Sequence, residues 1–318
     1  MKKSEKLSKL FDETQKSWKA IAPESEGIRC PICWSEFFWK SSIEKELISI
    51  EDVPQKSWGS NWEVITCTKC NNTFGTKYQG RVSGLKDIEN LKSGRSNKKH
   101  RAKIVTDQGE FNAEIYTKNG LIWMKGSKSI NKPVIAQQWL QLRDKARSFT
   151  SVKILLRQQF VHKALSMVLL RDSYLLAFYF LGYPYLCISQ VQEIRTILHE
   201  DKSVPDGAML TLPFDPYTLK DKTKNGRFFW VQAPEKLAGI LVRWVVPEIG
   251  NRFIVLPFFP YQWQSYQELC KVWNNASKNR KKIKLILVAM EFEKSARYSQ
   301  RLKISKESNE IVTLSGEE

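Results

Sequence analysis

The sequence predicts an α+β protein in which a small, metal-stabilised module precedes a larger α+β domain with antiparallel strands. Three observations predict it. Four of six cysteines fall in two Cys-x-x-Cys pairs within a stretch punctuated by Pro31, Pro54, Gly59, Gly75 and Gly80. The apolar run from Val161 to Leu181 has no internal Gly or Pro and is too long for a strand, so it reads as a buried helix ending at Gly182. Beyond Arg227, runs rich in β-branched and aromatic residues alternate with Pro and Gly, as strands do.

Four segments follow in order. Residues 1–24 carry Leu7, Leu10, Phe11, Trp18 and Ile21 at helical spacing among lysines and glutamates, which predicts an amphipathic helix ending before Pro23. Residues 25–90 form the cysteine module. Residues 91–130 begin as a basic linker around Ser93 to His100 and continue as a small antiparallel sheet. Its strands are Ala102 to Val105 and Glu110 to Tyr116, joined through Asp107-Gln108-Gly109, with a second turn at Lys118-Asn119-Gly120 before Leu121 to Met124. Residues 131–318 form the larger domain: the buried helix, a shorter helix over Val191 to Leu198, and strands over Phe228 to Gln232, Gly239 to Val246, Arg252 to Phe259 and Ile283 to Met290.

Composition narrows the function. With 42% apolar residues, 11 Trp, 16 Phe and 10 Tyr, the chain can bury a substantial core, which excludes a wholly disordered or collagen-like protein. Its 51 Lys plus Arg against 33 Asp plus Glu leave a net charge of +18, which favours an anionic partner: nucleic acid first, DNA favoured, and an acidic membrane face second. The uncharged run from Ser173 to Gln192 is broken by Gly182 and Pro184, so no membrane span is expected, and the N-terminus lacks the apolar stretch of a secretory signal. A cytoplasmic location is therefore expected. No Gly-rich phosphate loop and no Gly-x-Ser-x-Gly elbow occurs, which argues against nucleotide-dependent enzymes and α/β-hydrolases.

Cys30-Pro31-Ile32-Cys33 and Cys67-Thr68-Lys69-Cys70 are separated by 33 residues. Pairs of this kind wrap backbone amides around a soft tetrahedral ion, and zinc is the expected occupant. Four thiolates leave no open coordination position, so the ion is expected to be structural. Cys187 and Cys270, in apolar surroundings, are expected to be buried thiols.

The segments Ser49-Ile50-Glu51-Asp52-Val53-Pro54-Gln55-Lys56-Ser57-Trp58-Gly59 and Ile65-Thr66-Cys67-Thr68-Lys69-Cys70-Asn71-Asn72-Thr73-Phe74-Gly75 resemble the HNH, or ββα-metal, endonuclease family. The resemblance covers about Arg29 to Gly80. It implies a ββα-metal fold for the module and hydrolysis of phosphodiester bonds, in which a histidine deprotonates the attacking water and neighbouring side chains hold one divalent cation against the scissile phosphate. The family pattern departs here at that histidine, whose position is held by Asp52, and near Gln79, where His or Asp is usual.

Two readings follow. In the leading one the chain is a nuclease, and analogy suggests a place in phage defence or restriction. Glu51 and Asp52 ligate Mg²⁺ or Mn²⁺, Asn71 fixes the loop or the water, and Lys56, Lys69, Lys77 and Arg81 contact the nucleic-acid backbone. In the other, the same fold binds nucleic acid without cutting it, Glu51-Asp52 merely cap a turn, and Asn71 sits at a knuckle exit. A protein-interaction adaptor, engaging a partner through the larger domain, is the third alternative. His100 belongs to the basic linker and offers a candidate base. Lys271, Lys278, Arg280, Lys281, Lys282 and Lys284 form a second basic cluster, suited to phosphate contact or to protecting a strand edge. Trp34, Trp39, Trp58 and Trp62 supply either the module's core or stacking surfaces.

Overall fold

The computed structural model describes residues 3–34, 37–59, 62–95, 98–106, 109–118, 121–126, 152–156, 162–212, 227–258, 263–278, 283–292 and 302–314. Mixed helices and antiparallel sheets make the fold α+β, as composition and patterning predict. The chain divides into two compact units, one comprising Met1–Val82 with His162–Glu318 and the other Ser83–Val161.

The first unit opens with helix α1 (Lys3–Lys19), whose Leu7, Leu10, Phe11 and Trp18 are buried at the predicted spacing; Ile21 lies past its end and is exposed. Short strands β1 (Ile28–Arg29) and β2 (Phe37–Phe38) pair around the first cysteine knuckle. Strands β3 (Ile48–Val53) and β4 (Trp62–Cys67) form an antiparallel hairpin that leads directly into helix α2 (Thr68–Phe74). A π-helical turn over Gly75–Gln79 then joins α2 to helix α3 (Gly80–Lys92).

In the second unit β5 (His100–Thr106), β6 (Gly109–Lys118), β7 (Leu121–Gly126) and β8 (Val152–Leu156) make an antiparallel sheet in the order β7-β6-β5-β8. The turn residues 107–108 and 119–120 lie outside the described residues. Alternation along β5 and β6 sends Ala102, Ile104, Phe111, Ala113 and Ile115 to one face, where they pack with Leu91 of α3 and with Ile154 and Leu156. The boundaries expected at 90/91 and 130/131 do not match this division. Helix α3 runs past Val82 and lends Leu91 to the second core, and β8, drawn from beyond residue 130, closes that sheet by pairing with β5. The cysteine module belongs to the same unit as the larger C-terminal segment.

The rest of the first unit is helix α4 (His162–Leu186), helix α5 (Ser189–Glu200), helix α6 (Tyr266–Lys278) and a six-stranded antiparallel sheet. Its strands β9 (Met209–Leu210), β10 (Arg227–Ala233), β11 (Gly239–Val246), β12 (Gly250–Leu256), β13 (Ile283–Phe292) and β14 (Leu302–Leu314) are ordered β14-β13-β10-β11-β12-β9. Helix α4 contacts α1, the β3–β4 hairpin and the π turn, and also β9 and β12, so it is buried nearly all round. This explains its uninterrupted hydrophobicity. Among the described residues it is the one helix long and apolar enough to cross a membrane, and it lies almost wholly inside the protein.

Gly182 breaks α4 where predicted, with φ 71° and ψ −164°, a region open essentially to glycine alone. A Cβ there would lie 2.1 Å from Ser17 Oγ, the atom that accepts a 3.0 Å hydrogen bond from the Tyr183 amide. Gly182→Ala is therefore expected to destabilise the fold by at least about 2 kcal/mol in denaturant titration. The turn after this break leaves Cys187 exposed, correcting the expectation of a buried thiol, whereas Cys270 in α6 is buried as expected.

Candidate metal centre and the buried carboxylates beside it

The hairpin brings the two knuckles together. Cys30 follows β1, Cys67 ends β4, and Cys70 lies in the first turn of α2. The Sγ atoms of Cys30, Cys33, Cys67 and Cys70 all lie within 4.8 Å of one another, and those of Cys33 and Cys67 are 3.9 Å apart. A tetrahedral ion at a thiolate bond length of about 2.3 Å separates its four sulfurs by about 3.8 Å, so the donor set fits such an ion. The Cys67 amide donates to Cys30 Sγ and the Cys70 amide to Cys67 Sγ, each at 3.4 Å, which stabilises negative sulfur. Burial pushes the Cys30 thiol well up, and the adjoining sulfurs push it further. A cation is what allows four thiolates to share this pocket, and the cluster can hold a structural metal ion.

Helix α4 grips both knuckles through their carbonyls. Tyr174 Oη donates to the Pro31 carbonyl at 2.6 Å, Tyr183 Oη donates to the Arg29 carbonyl, and Arg171 Nη1 donates to the Cys70 carbonyl at 3.3 Å. Trp18, Trp34 and Tyr183 pack edge to face around the first knuckle, and the Arg195 guanidinium lies over Trp34. Trp58 is buried and Trp62 packs against Phe180, whereas Trp39 is half exposed, so three of the four module tryptophans serve packing.

The residues expected to carry catalysis are close in sequence but differ in surroundings. Glu51 is almost fully buried. Its Oε1 accepts from Arg171 Nε at 2.9 Å, and its Oε2 accepts from Arg171 Nη2 at 2.6 Å and from Thr66 Oγ1 at 3.0 Å. Arg171 is itself buried and stacks over Phe74, 4.1 Å from the ring centroid. A divalent cation at Glu51 would have to displace this guanidinium and leave its charge buried, a penalty of several kcal/mol. Asp52, the next residue along the strand, points to the other side of the hairpin. There it is partly exposed and pairs with Lys56 at 3.6 Å. Partial burial raises its carboxyl pKa, an effect that Lys56 opposes and Glu63 reinforces. Asn71 Nδ2 donates to Ser49 Oγ at 3.1 Å and to the Ile50 carbonyl at 3.3 Å, tying α2 to β3.

Of the expected phosphate contacts, Lys69 is exposed within the second knuckle, in the first turn of α2, and Arg81 is exposed at the start of α3, while Lys56 pairs with Asp52 and Lys77 with Asp201. His100 opens β5 in the second unit, opposite Ile115, and burial lowers its pKa. Of the second basic cluster, Lys271 and Lys278 are exposed, Lys284 lies in β13, and Arg280, Lys281 and Lys282 lie outside the described residues.

Sequence reasoning missed Arg171 and its neighbour Asp172. Two adjacent charges inside an apolar helix were the available signal, because buried charges need partners. Asp172 is fully buried and neither carboxyl oxygen has a hydrogen-bond partner among the described residues. Burial first, and then the Glu51 charge, hold its pKa well above the ordinary range, with Arg171 opposing. The folded chain thus keeps a proton that the unfolded chain releases near ~3.9. Above that pH the folded state binds more protons, so stability falls as pH rises towards the folded-state pKa, by about 1.4 kcal/mol per unit. Asp172→Asn is expected to flatten this decline, raising stability near neutral pH by roughly 1 to 3 kcal/mol relative to its effect in acid, as read from urea unfolding across pH.

Comparison with models of known protein families, with curated proteins and with solved structures finds no match to this chain.

Proposed function

We propose that the chain binds nucleic acid through a zinc-held module and does not cleave it. One observation carries this choice over the nuclease reading: both oxygens of Glu51 are occupied by Arg171 and Thr66 inside the core, which leaves Asp52 as the only carboxylate of the acidic pair turned towards solvent. Asp52 is already paired with Lys56, and the carboxylate across the hairpin from it, Glu63, with Lys6, so the two are a poor anchor for Mg²⁺ or Mn²⁺, and at neutral pH Asp52 is a weaker general base than an imidazole. The four-sulfur, closed donor set favours zinc in a structural role. The net charge of +18 supports an anionic partner, and the exposed Lys69 and Arg81 support its approach to the module.

The test is fluorescence anisotropy of the metal-loaded full chain with labelled DNA and RNA over a salt series. Affinity is expected to fall linearly in log–log form with salt, and Lys69→Ala and Arg81→Ala are each expected to reduce the slope by about 1. Salt-independent binding, or no binding to any nucleic acid, would remove the proposal and favour the protein-interaction reading.

A further inference from the structure

The second unit's sheet has one face packed on Leu91 and one face turned away from that core. We infer that this outward face is a binding platform for single-stranded nucleic acid, with Tyr116 and Trp123 stacking bases between flanking cations. The register sets the pattern. Tyr116 of β6 lies directly opposite Trp123 of β7, next to the row formed by Arg101, Glu114 and Lys125 on one side and the Lys118–Leu121 pair on the other. Residues opposite one another on adjacent strands share a face, so these side chains emerge together, on the side away from Ile104, Phe111 and Ile115.

Trp123 is 49% exposed, and its indole nitrogen donates to the Lys118 carbonyl at 3.3 Å, which satisfies the ring's one polar group and fixes its position. An aromatic ring left this open on a sheet gains little from packing, whereas either of its faces can stack a base. Charge selects the ligand. The face's two acidic side chains, Glu110 and Glu114, are matched by Lys103 and Lys99, and Arg101, Lys118, Lys125 and Lys153 add positive charge on the same side. An exposed Trp123 beside a half-buried Tyr116, among excess cations, suits a chain that offers both phosphates and unpaired bases. A duplex hides its base faces, so single strands are favoured. This platform belongs to a different unit from the cysteine cluster and stands on separate observations.

The test uses the full metal-loaded chain and fluorescence anisotropy with labelled oligo-dT, oligo-U and a mixed-sequence duplex. The double variant Tyr116→Ala/Trp123→Ala is expected to weaken binding to at least one single strand by roughly tenfold or more, with much less effect on the duplex. Trp123→Phe, which keeps a stacking ring, is expected to retain most of the affinity. Unaltered thermal unfolding of the variants excludes loss through misfolding. The two arms, oligo-dT and oligo-U, distinguish DNA from RNA as the source of the strand. Three outcomes would overturn the inference: single-strand affinity unchanged in the double variant, single-strand binding abolished by Lys69→Ala/Arg81→Ala but not by the aromatic changes, or adsorption to anionic phospholipid vesicles in place of oligonucleotides. The second of these would leave the module proposal standing, and loss through the aromatic changes alone would remove the module proposal and leave the platform.

Discussion

Replacing either Glu51 or Arg171 alone is expected to destabilise the first unit by roughly 3 to 5 kcal/mol, because each change leaves the opposite charge buried without its partner. Glu51→Ala strands a guanidinium that also lies on Phe74 and donates to the Cys70 carbonyl. Arg171→Ala strands a carboxylate beside Asp172, whose pKa burial already holds well above the ordinary range. Removing both charges with apolar residues of similar volume, Glu51→Leu with Arg171→Met, is expected to recover much of the loss, although the bond to Cys70 remains missing. Denaturant unfolding of the two single variants and the double variant measures the coupling. Additive effects would mean that the pair does not act as one structural element. Were Glu51 instead a catalytic ligand held free for a cation, Glu51→Ala would change activity with little change in stability.

Removal of the metal is the second large effect. The cluster joins residues that are 37 positions apart, from Cys30 to Cys67, and its knuckle carbonyls are the acceptors for Tyr174, Tyr183 and Arg171. Losing the ion leaves four clustered thiols, two of them buried, with Cys30 resisting ionisation beside its neighbours, and releases the loops that α4 holds. Structural sites of this kind commonly contribute on the order of 10 kcal/mol, so chelation or Cys67→Ser is expected to unfold the module and to lower the thermal midpoint sharply. Elemental analysis is expected to find one zinc per chain, and readdition of zinc after gentle chelation is expected to restore the midpoint. A chain that retains its midpoint in excess chelator would contradict a structural metal.

Much of this was legible in the sequence, for physical reasons. Cys-x-x-Cys spacing is local, so the ligand set of the cluster could be read directly from Cys30, Cys33, Cys67 and Cys70. The strand patterns over 239–246 and 283–290 and the long helix up to Gly182 are also local, because periodicity and backbone freedom act within a few residues. The partner of Glu51 was not legible. It arrives from α4, 120 positions away, and nothing near Glu51 encodes that meeting. The unit boundary was equally hidden, since helix α3 runs across it without a change in local pattern, and strand β8 lies beyond the expected break at 130/131. Strand β14 escaped because its centre, Ser305 to Glu310, is polar and carries no hydrophobic alternation. The order of β3, β4 and α2 leaves the chemistry to the side chains.

The most direct measurement mixes the zinc-loaded chain with plasmid DNA, single-stranded DNA and RNA, with Mg²⁺ or Mn²⁺ added, and follows both retention and length of the nucleic acid on gels. Retention at low salt with every substrate recovered intact is the predicted result. Metal-dependent shortening of any substrate, abolished by Asp52→Ala or Asn71→Ala, would contradict it.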